Sequence, residues 1–261
     1  MRLPEKKAIV TGAAHGIGKA IAKRFAKEGA AVCILDIDDK GSEEVVADIK
    51  SNGGTAFAIH CDVGDSAQVN AAFEQSIELM DGLNILVNNT GIIRQSSVVD
   101  MAEDEWDLII QTNLKSVFLC TQKALKHMIP ANEGGRIIAV SSIHSVISEP
   151  NCGHYTAAKG GIEGFMRTVA SEVAPNKITA NFIRPGATYT ELTVPMYTDA
   201  VKKSLNMRVP LQEIAEASWI ANAALFLASD ESRYMTGQDI TIDGGYTMNG
   251  SLPGAQYWEE E

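Results

Sequence analysis

The stretch TGAAHGIG at residues 11–18 decides the fold class of this chain, because it joins a short apolar run to an amphipathic one. Residues 8–10 predict a β-strand and residues 17–28 a helix, so the stretch forms a turn between them. Glycines in such a turn let the backbone approach a bound group closely. The helix start offers free N–H groups and a dipole that favours a pyrophosphate. The spacing is GxxxGxG rather than the commonest GxGxxG fingerprint, and it still predicts a dinucleotide site.

The same alternation of short apolar runs and longer amphipathic runs continues along the chain. Apolar strands separated by helices are typical of a parallel sheet covered on both faces. Right-handed crossovers then give an α/β, doubly wound Rossmann fold with about seven parallel strands. Two regions depart from the pattern: an irregular, proline-bounded segment with a lid over about 187–210, and a tail over 250–261. The remaining strands are predicted at 31–35, 56–60, 85–87, 136–140, 178–183 and 239–242, and the remaining helices at 42–51, 66–80, 103–127, about 155–173 and 214–227.

The bulk composition excludes several classes of partner. Hydrophobic residues make up 45% and charged residues 21% of the 261 positions, a typical globular mixture. The net charge of −11 argues against nucleic acid and an anionic membrane as partners. Because no signal-peptide core follows Met1, and no apolar run is long enough to cross a bilayer, we expect a cytoplasmic protein. The four cysteines form no CxxC pair or Cys/His cluster, so no metal site is expected.

Asp36 closes the second predicted strand, where an acidic residue can bind the hydroxyls of an adenosine ribose. A carboxylate there would repel a 2′-phosphate, which favours NAD over NADP. The alternative is an aspartate that only forms a turn or caps a helix. His15 and Lys19 could instead assist a 2′-phosphate. Asp62, at the end of the third strand, either binds the adenine amino group or forms a turn.

Tyr155 and Lys159 stand four residues apart in a stretch without proline. On a helix this spacing places both side chains on one face, about 5–6 Å apart at Cβ. A nearby ammonium group favours the phenolate and would lower the pKa of a tyrosine from its ordinary value of about 10. The pair is therefore a candidate acid/base group, although most such pairs are ordinary surface neighbours.

Further short motifs follow the glycine turn along the chain. In order, the set is residues 11–18, Asp62-Val63, Asn88-Asn89-Thr90-Gly91, Asn113, Ser141-Ser142, Tyr155-xxx-Lys159 and Pro185-Gly186. Together, and in this order, the motifs resemble those of the short-chain dehydrogenase/reductase family, near its members that act on sugars, polyols or sugar acids. The resemblance covers nearly the whole chain, and it implies a single NAD-binding catalytic domain over residues 1–261. One position departs: Thr90 stands where the family usually has alanine, and its hydroxyl needs a partner if it is buried.

The resemblance implies a role for each of four residues. Tyr155 exchanges a proton with the substrate oxygen, and Lys159 lowers its pKa and binds the nicotinamide ribose. Ser142 binds the carbonyl oxygen, and Asn113 orders a water next to Lys159. The alternatives are a capping or core Ser142 and a turn-forming Asn113. The implied cofactor contacts are Gly12, His15, Gly16, Ile17, Gly18, Asp36, Ile37, Asp62, Val63, Asn89, Gly91, Tyr155, Lys159, Pro185, Gly186, Thr188 and Thr190.

The substrate is indicated less clearly. Arg94 lies in a stretch that resembles sugar-acid members of the family and could bind a carboxylate, or it could be a surface arginine. His144 and His154 are candidates to line the pocket, as is Met196 in the lid, and each has an ordinary packing or solvent-exposed alternative.

Three functions remain open from the sequence. The first is an NAD(H)-dependent oxidoreductase that interconverts a secondary alcohol, such as a sugar or polyol, and its ketone. The second is a 3-oxoacyl thioester reductase that uses NADPH, and the third is a non-catalytic NAD(H)-binding protein. The resemblance implies a homotetramer or homodimer, with Glu163, Phe165 and Met166 as candidates for a subunit contact. The tail residues Tyr257 and Trp258 are expected to pack on a neighbouring subunit or near its active site, and the alternative is a frayed acidic tail.

Overall fold

The alternation read from the sequence forms one open sheet in the computed structural model, which describes residues 1–250. The strands of the described residues, including two that lie outside this sheet, are β1 (Lys7–Thr11), β2 (Ala31–Asp36), β3 (Thr55–His60), β4 (Ile85–Asn88), β5 (Gly135–Val140), β6 (Ile178–Pro185), β7 (Thr188–Tyr189), β8 (Ala215–Glu216) and β9 (Asp239–Ile242). Its α-helices are α1 (Gly16–Lys27), α2 (Asp39–Ser51), α3 (Ser66–Met80), α4 (Glu103–Ile110), α5 (Ser116–Ala131), α6 (Gly153–Val173), α7 (Asp199–Arg208) and α8 (Ala217–Ala228).

Seven of the strands form a parallel sheet in the order β3-β2-β1-β4-β5-β6-β9. The chain builds outward from β1 to β3, and then returns to place β4 on the other side of β1. This reversal opens a crevice beyond the carboxyl ends of β1 and β4, which is where open α/β sheets bind their ligands. The TGAAHGIG stretch lies at that crevice, directly after β1.

Helices cover both faces of the sheet. On one face, Ile21 and Phe25 of α1 pack in a core with residues of α2 and α8. On the other face, Phe73 of α3 shares a core with residues of α5 and with Ile162 and Met166 of α6. These two cores confirm the predicted doubly wound fold, and they fix α1 and α6 against the two sides of the crevice. Within residues 1–250, no helix is both long enough and apolar enough to span a bilayer.

Most predicted elements are present with bounds shifted by a few residues, and residues 66–80 and 239–242 match in full. Two predictions were wrong. The helix over 103–127 is interrupted by a π-helical turn, Gln111–Lys115, between α4 and α5. The segment expected to be irregular contains the ten-residue α7 and a small parallel pair, β7 and β8. The predicted tail contacts lie outside the described residues.

Candidate active site

The glycine turn is compact because two of its glycines lie against other backbone atoms. A Cβ on Gly18 would lie 2.2 Å from the Gly12 carbonyl oxygen, and a Cβ on Gly12 would lie 2.9 Å from Thr90 Cα. Gly12 also has a φ of +61°, which a side chain would strain. The Asn89 side chain donates to the carbonyl oxygens of Thr11, at 3.0 Å, and Gly12, at 2.8 Å. Asn89 therefore holds the turn in shape, and this is the role that the structure shows for it.

The carboxylates of Asp36 and Asp38 lie next to the glycine turn, after the end of β2. Asp36 Oδ2 accepts a hydrogen bond from Ala14 N–H at 2.9 Å, and Oδ1 accepts one from Asp38 N–H at 3.0 Å. Asp38 in turn pairs with His15, whose Nε2 lies 2.7 Å from Asp38 Oδ2. The Asp36 carboxylate thus lies beside the glycine turn, as the ribose prediction requires. Ile37 is exposed next to it.

Asp62 and Val63 behave differently at the end of β3. Asp62 Oδ1 accepts a hydrogen bond from Gly64 N–H at 2.8 Å, so this aspartate does form a turn. Val63 is buried. A contact between Asp62 and an adenine amino group stays a prediction.

The start of α1 already binds an anion from the chain itself. Glu191 Oε2 accepts a hydrogen bond from Gly16 N–H at 2.9 Å. Because a carboxylate is held there, the helix start has the geometry and polarity for a phosphate. Gly12, Gly16, Ile17 and Gly18 would hold the pyrophosphate of a dinucleotide. The close packing of Gly18 on the Gly12 carbonyl oxygen keeps the turn tight, as close approach to such a group requires.

Asn113 lies in the π-helical turn and is fully buried. Its Oδ1 accepts from Ile92 N–H and its Nδ2 donates to the Ile92 carbonyl oxygen, both at 2.8 Å. An extra residue in a helical turn redirects the side chains around it, and such turns are frequent at functional sites. Here the turn aims Asn113 at the segment after β4. An ideal Cβ on Gly91 would lie 3.4 Å both from Asn113 Oδ1 and from Lys159 Nζ, so all three groups meet.

Tyr155 and Lys159 share one face of α6, as their spacing predicted. Lys159 Nζ lies 5.6 Å from the centre of the Tyr155 ring and donates to the Val140 carbonyl oxygen at 2.8 Å. Burial raises the pKa of Tyr155 to about 12, against a hydrogen bond from Ser142 that lowers it. Burial also lowers the pKa of Lys159 to about 8. Loss of hydration therefore dominates the pKa of both groups in the cofactor-free chain. A lowering of the Tyr155 pKa by Lys159 stays a prediction.

Ser142 lies at the carboxyl end of β5, where it caps a short 3-10 turn, Ile143–Ser145. Its Oγ accepts a hydrogen bond from His144 N–H at 3.1 Å. The His144 ring packs edge-on against Tyr155, with 6.1 Å between the ring centres. Burial lowers the pKa of His144, against a contribution from Glu149 that raises it. His144 is therefore in place to line a substrate pocket beside Tyr155.

A buried ion pair lies behind these groups and was not predicted. Arg184 of β6 donates to both carboxylate oxygens of Glu163, at 2.7 and 2.6 Å. Glu163 also accepts from Ser141 Oγ at 3.0 Å. The Ser141 hydroxyl lies 3.3 Å from the Lys159 carbonyl oxygen, so the pair ties α6 to the loop that carries Ser142.

Glu163 and Met166 are buried within the subunit, which corrects their assignment to a subunit contact.

The other side of the cleft is formed after β6. Pro185 ends that strand, and Gly186 N–H bonds the Ile242 carbonyl oxygen at 2.8 Å. Thr188 Oγ1 donates to the Gly186 carbonyl oxygen at 3.0 Å, which commits this hydroxyl internally. Thr190 packs directly against the glycine turn, 3.1 Å from where a Cβ on Gly16 would be.

The structure separates the four substrate candidates. His144 lies at the site, and Met196 is partly exposed in a 3-10 turn of the lid. Arg94 is exposed, and its Nη1 donates to the carbonyl oxygen of its neighbour Ile93. His154 is excluded from the pocket, because its side chain is fully buried and its Nε2 lies 3.1 Å from Glu105 Oε1. Adjacent helical residues point about 100° apart, so proximity to Tyr155 in sequence did not place His154 beside it.

Known proteins resemble this chain over nearly its whole length. A family model described as enoyl-(acyl carrier protein) reductase matches residues 12–247. A 3-oxoacyl-[acyl-carrier-protein] reductase from Staphylococcus aureus is 38% identical over 244 residues, covering 93% of this chain and 98% of the relative. A short-chain type dehydrogenase/reductase from Mycobacterium marinum superposes with a TM-score of 0.91 at 34% identity, covering 95% and 97%. The chain belongs to the short-chain dehydrogenase/reductase family.

A second solved member of this family was captured with its ligands. It is a 7α-hydroxysteroid dehydrogenase complexed with NADH and 7-oxo glycochenodeoxycholic acid, with a TM-score of 0.91 at 32% identity, covering 94% of this chain and 95% of that chain. The family assignment establishes that the chain is an oxidoreductase acting on CH–OH or C=O groups and that it takes a nicotinamide cofactor.

The unusual Thr90 has a hydroxyl that is buried without a hydrogen-bond partner among the described residues.

Proposed function

We propose that the chain is an NAD(H)-dependent oxidoreductase that interconverts a small secondary alcohol, such as a sugar or polyol, and its ketone. The observation that carries this proposal is the convergence of Ser142, Tyr155 and Lys159 beside a cradle built for a dinucleotide. A hydroxyl donor, a phenol and an ammonium group lie together there, with Ser142 and Lys159 buried and Tyr155 partly exposed. These are the groups that an enzyme needs to move a proton to or from a substrate oxygen.

The nicotinamide ring, when bound, accepts or supplies the hydride, so the protein needs to handle only the oxygen and its proton. In ketone reduction, Ser142 donates a hydrogen bond to the carbonyl oxygen and stabilises the negative charge that develops on it. Tyr155 gives that oxygen its proton, and its raised pKa keeps the phenol protonated at neutral pH until then. Lys159 stabilises the phenolate that results. In alcohol oxidation the same proton moves in reverse.

Carboxylates support NAD rather than NADP. Asp36 is held against the turn by Ala14 N–H, and Asp38 and Asp39 follow it at the start of α2. A 2′-phosphate would enter among these negative groups, and His15 is engaged by Asp38. Lys19 is the nearby cation that would favour NADP instead. Asp36 to Ser should therefore increase the use of NADP relative to NAD.

A panel of sugars, sugar acids, polyols, hydroxysteroids and diketones, run with both cofactors and followed at 340 nm, tests the function. We expect turnover with NAD(H) and at least one small hydroxy compound or its ketone. Tyr155 to Phe should abolish turnover while NADH still binds. Undiminished turnover in that variant would overturn the assigned chemistry, and NADH binding without any turnover would favour a non-catalytic binding protein.

The second candidate is reduction of a 3-oxoacyl thioester with NADPH. Its support is the name carried by the 38%-identical relatives from Staphylococcus aureus. The net charge of −11 and Asp36 oppose it, because an acidic carrier protein and a 2′-phosphate both require basic partners. Acetoacetyl thioesters in the same panel distinguish the two: faster turnover of the thioester with NADPH than of any free alcohol or ketone would select this candidate.

The oligomeric state belongs to the proposal as well. Members of this family are commonly tetramers, and we expect a homotetramer or homodimer in a cytoplasmic setting. Light scattering on the purified full chain tests the assembly.

A further inference from the structure

The first part of the lid contains a carboxylate, Glu191, that contacts the start of α1, where a phosphate is expected to bind. Glu191 follows Thr190 directly, and its Oε2 accepts the hydrogen bond of Gly16 N–H at 2.9 Å. Gly16 is the first residue of α1, so this N–H is one of the donors that the helix itself leaves free. The contact joins residues that are 175 positions apart, which makes it a tertiary link between the lid and the glycine turn.

The surroundings keep this carboxylate charged. Burial acts to raise the pKa of Glu191, but hydrogen bonds from its own backbone N–H and from that of Gly16 lower it. The nearby His15 and Lys19 lower it further, and the net direction is below the ordinary value for a glutamate. At neutral pH an anion therefore occupies the start of α1 even without a ligand.

The glycine turn offers the same donors to a dinucleotide, and two anions that approach one N–H repel each other. We infer that Glu191 competes with the cofactor pyrophosphate for Gly16 N–H, lowers the affinity for the cofactor, and holds the lid against the glycine turn until the cofactor displaces it. This inference rests on the proposed function only in requiring that a dinucleotide binds at this turn.

The chain next to Glu191 can transmit its displacement to the lid. Thr190 and Thr193 share a hydrogen bond of 3.0 Å between their hydroxyls, and Thr193 Oγ1 donates to the Thr188 carbonyl oxygen at 2.6 Å. Internal hydrogen bonds therefore hold residues 188–193 together in one conformation. A shift of Glu191 away from Gly16 moves this unit, and α7 follows it in the chain.

Binding measurements test the competition. Glu191→Gln keeps the size of the side chain and removes its charge, and Glu213→Gln is the matched control, because Glu213 is also exposed and lies beyond α7. For Glu191→Gln we expect NADH and ADP-ribose to bind about tenfold more tightly than to the unchanged protein, because a neutral amide oxygen accepts the Gly16 hydrogen bond more weakly than the carboxylate and no longer repels the pyrophosphate. Adenosine, which has no phosphate, should bind within twofold of the unchanged protein in both variants.

Unchanged or weaker binding of NADH to Glu191→Gln would overturn the inference, as would an equal gain for adenosine or for the Glu213→Gln control. Failure of the unchanged protein to bind NADH would instead contradict the proposed function.

A second measurement tests the link to the lid without any cofactor. Trypsin can cleave after Lys202 and Lys203 of α7. Without ligand, Glu191→Ala, which removes the acceptor as well as the charge, should be cut there several-fold faster than the unchanged protein, because the lid has lost its hydrogen bond to Gly16 N–H of α1. Equal cleavage rates would refute this part of the inference.

Discussion

Replacing Lys159 by methionine should abolish turnover and make the cofactor-free protein more stable. Lys159 is 3% exposed, and burial lowers its pKa from 10.5 to about 8. Since one pKa unit corresponds to about 1.4 kcal/mol, holding the lysine charged at pH 7 costs the folded state about 3 kcal/mol. Methionine also loses the hydrogen bond from Nζ to the Val140 carbonyl oxygen, which offsets about 1 kcal/mol. The net gain should be about 2 kcal/mol.

The pH dependence distinguishes this explanation from better packing. The folded pKa of Lys159 lies below the unfolded one, so the unfolded state binds more protons between pH 8 and 10.5. The free energy of unfolding of the unchanged protein therefore rises across this interval. The advantage of Lys159→Met should shrink by about 2 kcal/mol between pH 7 and pH 9.5.

Urea denaturation of the cofactor-free chain at the two pH values measures both effects. Lys203→Met, at an exposed position of α7, is the matched control and should change the free energy of unfolding by less than about 0.5 kcal/mol at either pH. The reasoning is refuted if Lys159→Met is no more stable than the unchanged protein at pH 7. It is equally refuted if the gain persists undiminished at pH 9.5, since a packing effect would not depend on pH.

Two further predictions follow from the cleft and the core. Gly18→Ala should weaken NADH binding at least about 100-fold in a fluorescence titration, because a Cβ would lie 2.2 Å from the Gly12 carbonyl oxygen and the turn must open; binding within tenfold of the unchanged protein would contradict it. Glu163→Leu should lower the free energy of unfolding by about 2 kcal/mol, because it leaves the largely buried Arg184 with Asp239 as its remaining ion-pair partner. The pair Glu163→Leu with Arg184→Met should recover most of that loss in the same denaturation assay, and no recovery would show that the packing of Glu163, not its charge, is what matters.

The sheet could be predicted from the sequence because each strand is a short, mostly apolar run with turn or loop residues on both sides. β9 and α3 have their predicted bounds for this reason. The lid helix α7 was missed because it buries none of its residues and therefore has no apolar periodicity. Its start did carry a local signal, since Thr198 caps it by accepting a hydrogen bond from Val201 N–H. The π-helical turn at Asn113 has no such signal, because one extra residue in a turn does not alter the pattern of apolar residues around it.

The site was predicted best where one local segment supplies the chemistry. Tyr155 and Lys159 lie on one helix, so their spacing alone placed them together. Glu163 continues the same face by a further four residues, and Arg184 is the one charged residue of β6. These two observations could have indicated a buried ion pair. Glu191 could not have been predicted, because its contact with the glycine turn depends on how the lid folds back across the cleft.

The acidic groups around the cleft are consistent with a cofactor that is a co-substrate rather than a permanent group. Asp36 lies beside the glycine turn and Glu191 at the start of α1, so a carboxylate stands at two places around the expected dinucleotide site. In the proposed binding mode, Asp36 binds the ribose hydroxyls and Glu191 opposes the pyrophosphate. A hydride carrier must leave after each turnover, and a site with one opposing carboxylate releases it more readily than a site without one. Under the proposed NAD preference, Asp36 therefore limits the choice of cofactor, and Glu191 limits its affinity.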